Sequence, residues 1–226
     1  MKILALETTD RTGGVALLEG SQLLAETRLD TARRSAQTLA PAIRDLLTEH
    51  GWRPADVRLI AVAVGPGSFT GLRIGVTTAK TLAYALGAEL LGVNTLEVIA
   101  AQAPSGVGRL AVAMDAQRQQ VFAGQFTVPG DGLPQWLGEA ALVDDEAWLA
   151  SLEPGTSASG PALVKLAERL PAGVQLIDES LWSPRAATVG RLALAHSAAG
   201  RRDDPWQLVP LYLRRSAAEE KADANP

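Results

Sequence analysis

The chain has 226 residues, 47% of them hydrophobic and 20% charged, with a net charge of −4. That size and apolar content allow one large domain or two lobes of roughly 100 residues each around an ordered core. The acidic balance weighs against a broad basic surface that grips nucleic acid unaided, because phosphate neutralisation needs clustered Lys and Arg. The lack of cysteine removes disulfides, thiol catalysis and thiolate metal sites together and fits a reducing compartment.

Residues 2–8 read as a buried strand rather than a signal peptide, since the apolar stretch is short and runs straight into Glu7. Strands over 13–19 and 22–29 complete an opening meander. A helix is expected over 36–50, with Leu39, Ile43, Leu46 and Leu47 on one stripe, Pro41 in its first turns and Gly51 as its stop. Residues 58–64 are small and apolar throughout, as befits a central strand covered on both faces. A glycine-rich turn at 65–71 leads into a helix that Gly87 ends, and a strand over 89–93 and a helix over 95–103 follow.

The stretch Pro104-Ser-Gly-Val-Gly108 is the best lobe boundary, giving lobes 1–105 and 106–215. What comes next resembles the start: Leu110-Ala-Val-Ala-Met114 ends in Asp115 and returns through a strand over 121–128, as the first strand ends in Glu7 and returns. Helices around 163–170 and 186–199 and an extended segment over 207–214 complete an α/β pattern of two related lobes. Residues 216–226 carry no apolar side chain larger than alanine and read as a frayed tail. No apolar run approaches the roughly 20 residues that span a bilayer, so a soluble intracellular protein is expected.

The turn after Val64 has the strand, glycine turn and helix order that presents backbone N–H groups to an anion. Neither Gly-Lys-Ser/Thr nor G-x-G-x-x-G is present. The plainer reading is a sharp strand-to-helix corner, in which Gly65 and Gly67 permit close backbone approach. Along the helix, Gly71, Gly75, Ala79, Ala83 and Gly87 recur every fourth residue and form a ridge on which another helix can pack closely. The partner is another chain or this chain's own first helix. Arg73, Thr78, Lys80 and Tyr84 flank the ridge as an interface rim or as a solvated face.

Glu7 and Asp115 would face each other across an interlobe cleft, where paired carboxylates can hold Mg²⁺ and a nucleotide. With Thr8, Gly65, Gly67 and Ser68 they are the candidate nucleotide contacts. The turns after both acids lack the early glycine that lets backbone hug a phosphate. His50 and His196 are the only histidines and sit in no metal-binding spacing, so no metal ligand is assigned. No Gly-x-Ser-x-Gly elbow is present, and no catalytic residue is assigned.

The string Gly65-Pro-Gly-Ser-Phe-Thr-Gly-Leu-Arg-Ile-Gly75 closely resembles the TsaB (YeaZ-like) family of tRNA threonylcarbamoyladenosine biosynthesis subunits. Ile3-Leu-Ala-Leu-Glu-Thr8, Gly92-Val-Asn-Thr-Leu96, Met114-Asp-Ala-Gln-Arg-Gln-Gln-Val-Phe122 and Pro210-Leu-Tyr-Leu-Arg214 extend the resemblance over almost the whole chain. It departs from the family at Glu7, where aspartate is frequent, and over 31–37, where a histidine before the serine is missing.

The resemblance implies an actin-like (ASKHA) fold of two lobes, each a mixed sheet with helices. It also implies a non-catalytic scaffold that binds TsaD directly and TsaE through the complex, while TsaC makes the threonylcarbamoyl-adenylate. Contact with tRNA would be indirect, any ATP or ADP would sit at the partner interface, and the chain alone would form a homodimer in the cytoplasm. In that reading the ridge of Gly71, Gly75, Ala79 and Ala83, with its flanking residues, is the partner surface. The competing expectation is an actin-fold phosphotransferase or ATPase that uses Glu7, Asp115 and the glycine turn.

Overall fold

A computed structural model describes residues 1–29 and 35–214. The polar linker at 30–34 and the tail expected at 216–226 lie outside the described residues. An antiparallel meander of β1 (Lys2–Glu7), β2 (Gly14–Glu19) and β3 (Gln22–Arg28) opens the chain. α1 (Ser35–Glu49), β4 (Leu59–Gly65), α2 (Phe69–Leu86) and β5 (Glu89–Asn94) follow. β4 and β5 run parallel to β1, and the sheet order is β3-β2-β1-β4-β5. Gly87 ends α2 with φ of 62°, a left-handed conformation that glycine enters without strain. α3 (Thr95–Ala100) starts at Asn94, whose side chain accepts from the Leu96 N–H.

The second sheet begins with β6 (Gly108–Asp115) and β7 (Gln120–Val128). The short β8 (Gln135–Trp136), β9 (Ala141–Asp144), α4 (Asp145–Ala150), β10 (Ser157–Ser159), α5 (Leu163–Leu166) and β11 (Gln175–Leu176) complete it. Its order is β11-β10-β6-β7-β8, with β9 also paired to β7. β6 therefore lies between an antiparallel hairpin partner and a parallel strand, as β1 does. Topology carries the likeness of the two halves further than residue identity does.

α6 (Ala186–Ala198) does not stay with the second sheet, as a lobe of residues 106–215 would require. It lies on β1, β2, β4 and β5, where Ala187, Val189, Leu192 and Ala193 meet Ile3, Ala5, Leu18, Leu59 and Ala61. Gly190 makes this possible, because a Cβ there would overlap the Leu18 side chain. Each fully buried Val or Leu contributes about 1.5–3 kcal/mol, so this face is a substantial part of the core. α1 and α2 cover the opposite face through Leu39, Ile43, Leu46, Val76 and Ala79. The first sheet is thus clad on both sides, which explains why β1 and β4 are apolar without alternation.

Candidate functional site

The glycine turn is closed by the chain itself. The Gly65–Pro66 bond is cis, and a Cβ on Gly65, at φ of 117°, would lie 2.6 Å from the Leu211 carbonyl oxygen. A Cβ on Gly67 would lie 2.5 Å from the Thr9 carbonyl oxygen. The Ser68 N–H donates to that same carbonyl at 2.8 Å, and the Ser68 side chain caps α2 by accepting from the Gly71 N–H at 3.3 Å. The close backbone approaches that these glycines allow are to Thr9 and Leu211.

The small-residue ridge has the same explanation. Gly71, Gly75, Ala79 and Ala83 are buried inside the chain, so they form no outward partner surface. Side chains on Gly71 and Gly75 would overlap the Thr8 carbonyl and hydroxyl, and the Thr8 hydroxyl donates to the Gly71 carbonyl at 2.8 Å. The turn after β1 crosses α2 here, and only glycine admits it. The flanking residues are the ones that reach the surface. Arg73 and Tyr84 are exposed, and Thr78 and Lys80 are half-buried.

The two strand-end acids sit in unlike surroundings. Glu7 is fully buried, and its Oε1 accepts from the Thr9 N–H at 2.6 Å and the Thr9 hydroxyl at 2.5 Å. Oε2 has no protein partner. Burial pushes the carboxyl up to about 8, overriding the Thr9 hydrogen bonds that favour the ionised form. Glu7 is therefore held as a neutral acid near pH 7. Asp115 is half-exposed and accepts from the Gln117 N–H at 2.9 Å and from the Lys165 ammonium at 2.5 Å.

A cleft of about 1140 Å³ separates the lobes, and Gly67, Ser68 and Asp115 line it, whereas Glu7, Thr8 and Gly65 do not. Arg11, Arg118, Lys165 and Arg214 give its lining more basic than acidic side chains, against Asp10 and Asp115. Its far lip is the β6–β7 turn, in which Gln117, Arg118 and Gln119 have φ of 64°, 56° and 58°. Three consecutive non-glycine residues in the left-handed region are costly, at roughly 1–2 kcal/mol each. Nothing in the residue types of this turn announces that conformation. Among the described residues no group of three or more His, Asp or Glu side chains is placed to hold a metal ion. No helix there is long and apolar enough to cross a membrane.

The outer face of α2 is extended by residues that sequence reasoning did not single out. Trp206 stands edge-on to Tyr84 with ring centroids 5.3 Å apart, and the two are 74% and 69% exposed. Val209, three residues after Trp206, is also exposed. Arg73 lies over the Phe69 ring at 4.1 Å, and Lys80 donates to the Leu208 carbonyl at 2.9 Å. The signal available in the sequence was the set of large apolar residues in a stretch without regular structure.

Two sheets of matching strand order, with a cleft between them, define an actin-like α/β protein of two lobes. Residues 28–175 match the family model described as TsaD, tRNA N6-adenosine threonylcarbamoyltransferase. The tRNA threonylcarbamoyladenosine biosynthesis protein TsaB of Bacillus subtilis (strain 168) is 34% identical over 98% of this chain and 97% of its own. The protein of that name from Escherichia coli (strain K12) is 32% identical over 98% of both chains. The solved structure of YeaZ from Pseudomonas aeruginosa superposes with a TM-score of 0.80 at 30% identity, covering 94% of this chain and 99% of its own. The chain belongs to the TsaB family of tRNA threonylcarbamoyladenosine biosynthesis proteins.

Proposed function

We propose that this chain is a non-catalytic scaffold of tRNA threonylcarbamoyladenosine formation, which docks a TsaD-type transferase on the outer face of α2. The observation that carries the reading is the exposed Tyr84–Trp206 pair on that face. Trp and Tyr are the side chains in which interface energy concentrates, and a solvated aromatic pair of this size has little use in a monomer. The match of the chain to the transferase family model supports a partner of related fold. TsaE then joins through the complex, tRNA contact is indirect, and any ATP or ADP sits at the joint interface. Without its partner the same face pairs two copies of the chain, and the work takes place in the cytoplasm.

The test is sedimentation of the chain with the TsaD of its own organism, followed by threonylcarbamoyl transfer to tRNA with TsaC, TsaE and ATP present. Trp206→Ala and Tyr84→Ala each lower the affinity by about thirtyfold, the ~2 kcal/mol of an interface anchor, while far-UV circular dichroism stays unchanged. A chain that binds no TsaD and hydrolyses ATP alone would sink the scaffold reading and leave the nucleotide-dependent enzyme in its place.

A further inference from the structure

Besides the crossing at 178–185 that leads from β11 into α6, where the Gln102 side chain donates to the Leu181 and Ser183 carbonyls, two attachments join the lobes. One is α3, whose Leu96, Ile99 and Ala100 are buried with Leu110, Val112 and Phe126 of the second lobe. The other is the chain after α6. The Asp203 N–H donates to the Leu90 carbonyl at 3.1 Å and its carboxylate accepts from the Gly92 N–H at 2.8 Å, which ties it to β5. The Leu211 N–H donates to the Val64 carbonyl at the end of β4 at 2.7 Å. Tyr212 packs on the Phe69 ring at 4.7 Å between centroids and accepts from the Arg73 guanidinium at 3.2 Å. The segment then changes lobe. Leu213 packs against the core of the second lobe, and the Arg214 guanidinium donates to the Ala116 carbonyl and to Gln120 Oε1, at the two ends of the β6–β7 turn.

We propose that residues 208–214 are an intramolecular strap that sets how far the interlobe cleft opens, with Tyr212 its anchor on the first lobe and Arg214 its anchor on the second. Geometry carries this. Leu211, Tyr212, Leu213 and Arg214 line the cleft, with Ser183 of the crossing into α6, whereas no residue of α3 does. A single attachment between two packed bodies leaves a hinge, and a second one away from it removes the rotation. The β6–β7 turn supplies an independent reason. A run of left-handed residues persists only where its surroundings over-determine it, and Arg214 bonds to this turn at both Ala116 and Gln120.

The absence of cysteine allows two spin labels to be placed cleanly. Ser21→Cys lies in the turn between β2 and β3 and Val164→Cys lies on α5, both at exposed positions on opposite lobes. Pulsed EPR on the full chain is expected to give one narrow distance distribution. Arg214→Gln and Tyr212→Ala, in that labelled background, each widen it about twofold. They also speed amide exchange over 116–120 about tenfold, with unchanged far-UV circular dichroism. Tyr212→Ala decides the matter alone where Arg214→Gln disturbs folding. A distribution as narrow in the variants as in the parent overturns the strap.

Discussion

Glu7 and Asp115 end the corresponding strands of two sheets built to one plan, yet they are different chemical objects. Glu7 is fully buried against Thr9 and kept neutral, and Asp115 stands at the lip of the cleft as half of an ion pair. The difference arises from what crosses each strand end. In the first lobe α2 presents Gly71 and Gly75 to Thr8, so the turn after β1 is packed shut. In the second lobe the short α5 meets Asp115 through Lys165, and the acid stays partly open to solvent. A repeated topology fixes where a side chain begins and leaves its surroundings to the elements packed around it.

The strongest way to break this contrast is to force the closed end open. Gly75→Leu puts a side chain where Thr8 lies, and overpacking of this kind should cost about 3 kcal/mol, or roughly 10 °C in Tm for a chain of this size. Thermal unfolding checks it, and loss of partner binding without loss of stability would mean that the ridge faces outward after all. A smaller effect sharpens the comparison through pH. Folded Glu7 keeps a proton that the unfolded chain releases above 4.5, so its contribution to stability is complete below 4.5 and declines as pH rises to about 8. Glu7→Gln removes that decline and gains on the order of 2 kcal/mol over the parent between pH 5 and pH 8, measured by urea unfolding across the range. Asp115→Asn is the mildest change. An exposed ion pair is worth about 0.5 kcal/mol, and 0.5 M salt should erase even that.

Much of the first lobe was legible because its periodicities are strong. The stripe of Leu39, Ile43, Leu46 and Leu47 placed α1, and Gly51 and Gly87 marked the ends of α1 and α2 within a residue or two. The short elements β8 to β11 and α4 were not individually legible, since strands of two to four residues have no room for a pattern. The fate of α6 was hidden for another reason: Ala186, Ala187, Val189, Leu192 and Ala193 suit either sheet, and only the complementary small residues Ala5, Ala16 and Ala61 decide between them. At the site, the spacing of Gly71, Gly75, Ala79 and Ala83 announced close packing but not its direction. That depended on Thr8, sixty-three residues earlier. Trp206 escaped notice because its importance lies in standing beside Tyr84.

The return of α6 to the first sheet also dictates an order of events at the ribosome. Once residues 1–105 have emerged, Ile3, Ala5, Leu18, Leu59, Ala61 and Val93 lack the cover that α6 gives them in the finished fold. At about 5–20 residues per second, the helix that shields them follows only after an interval of several seconds. The nascent first half is for that time a sticky surface in search of a lid, and the protein that is first to begin folding at its amino end is among the last to finish there.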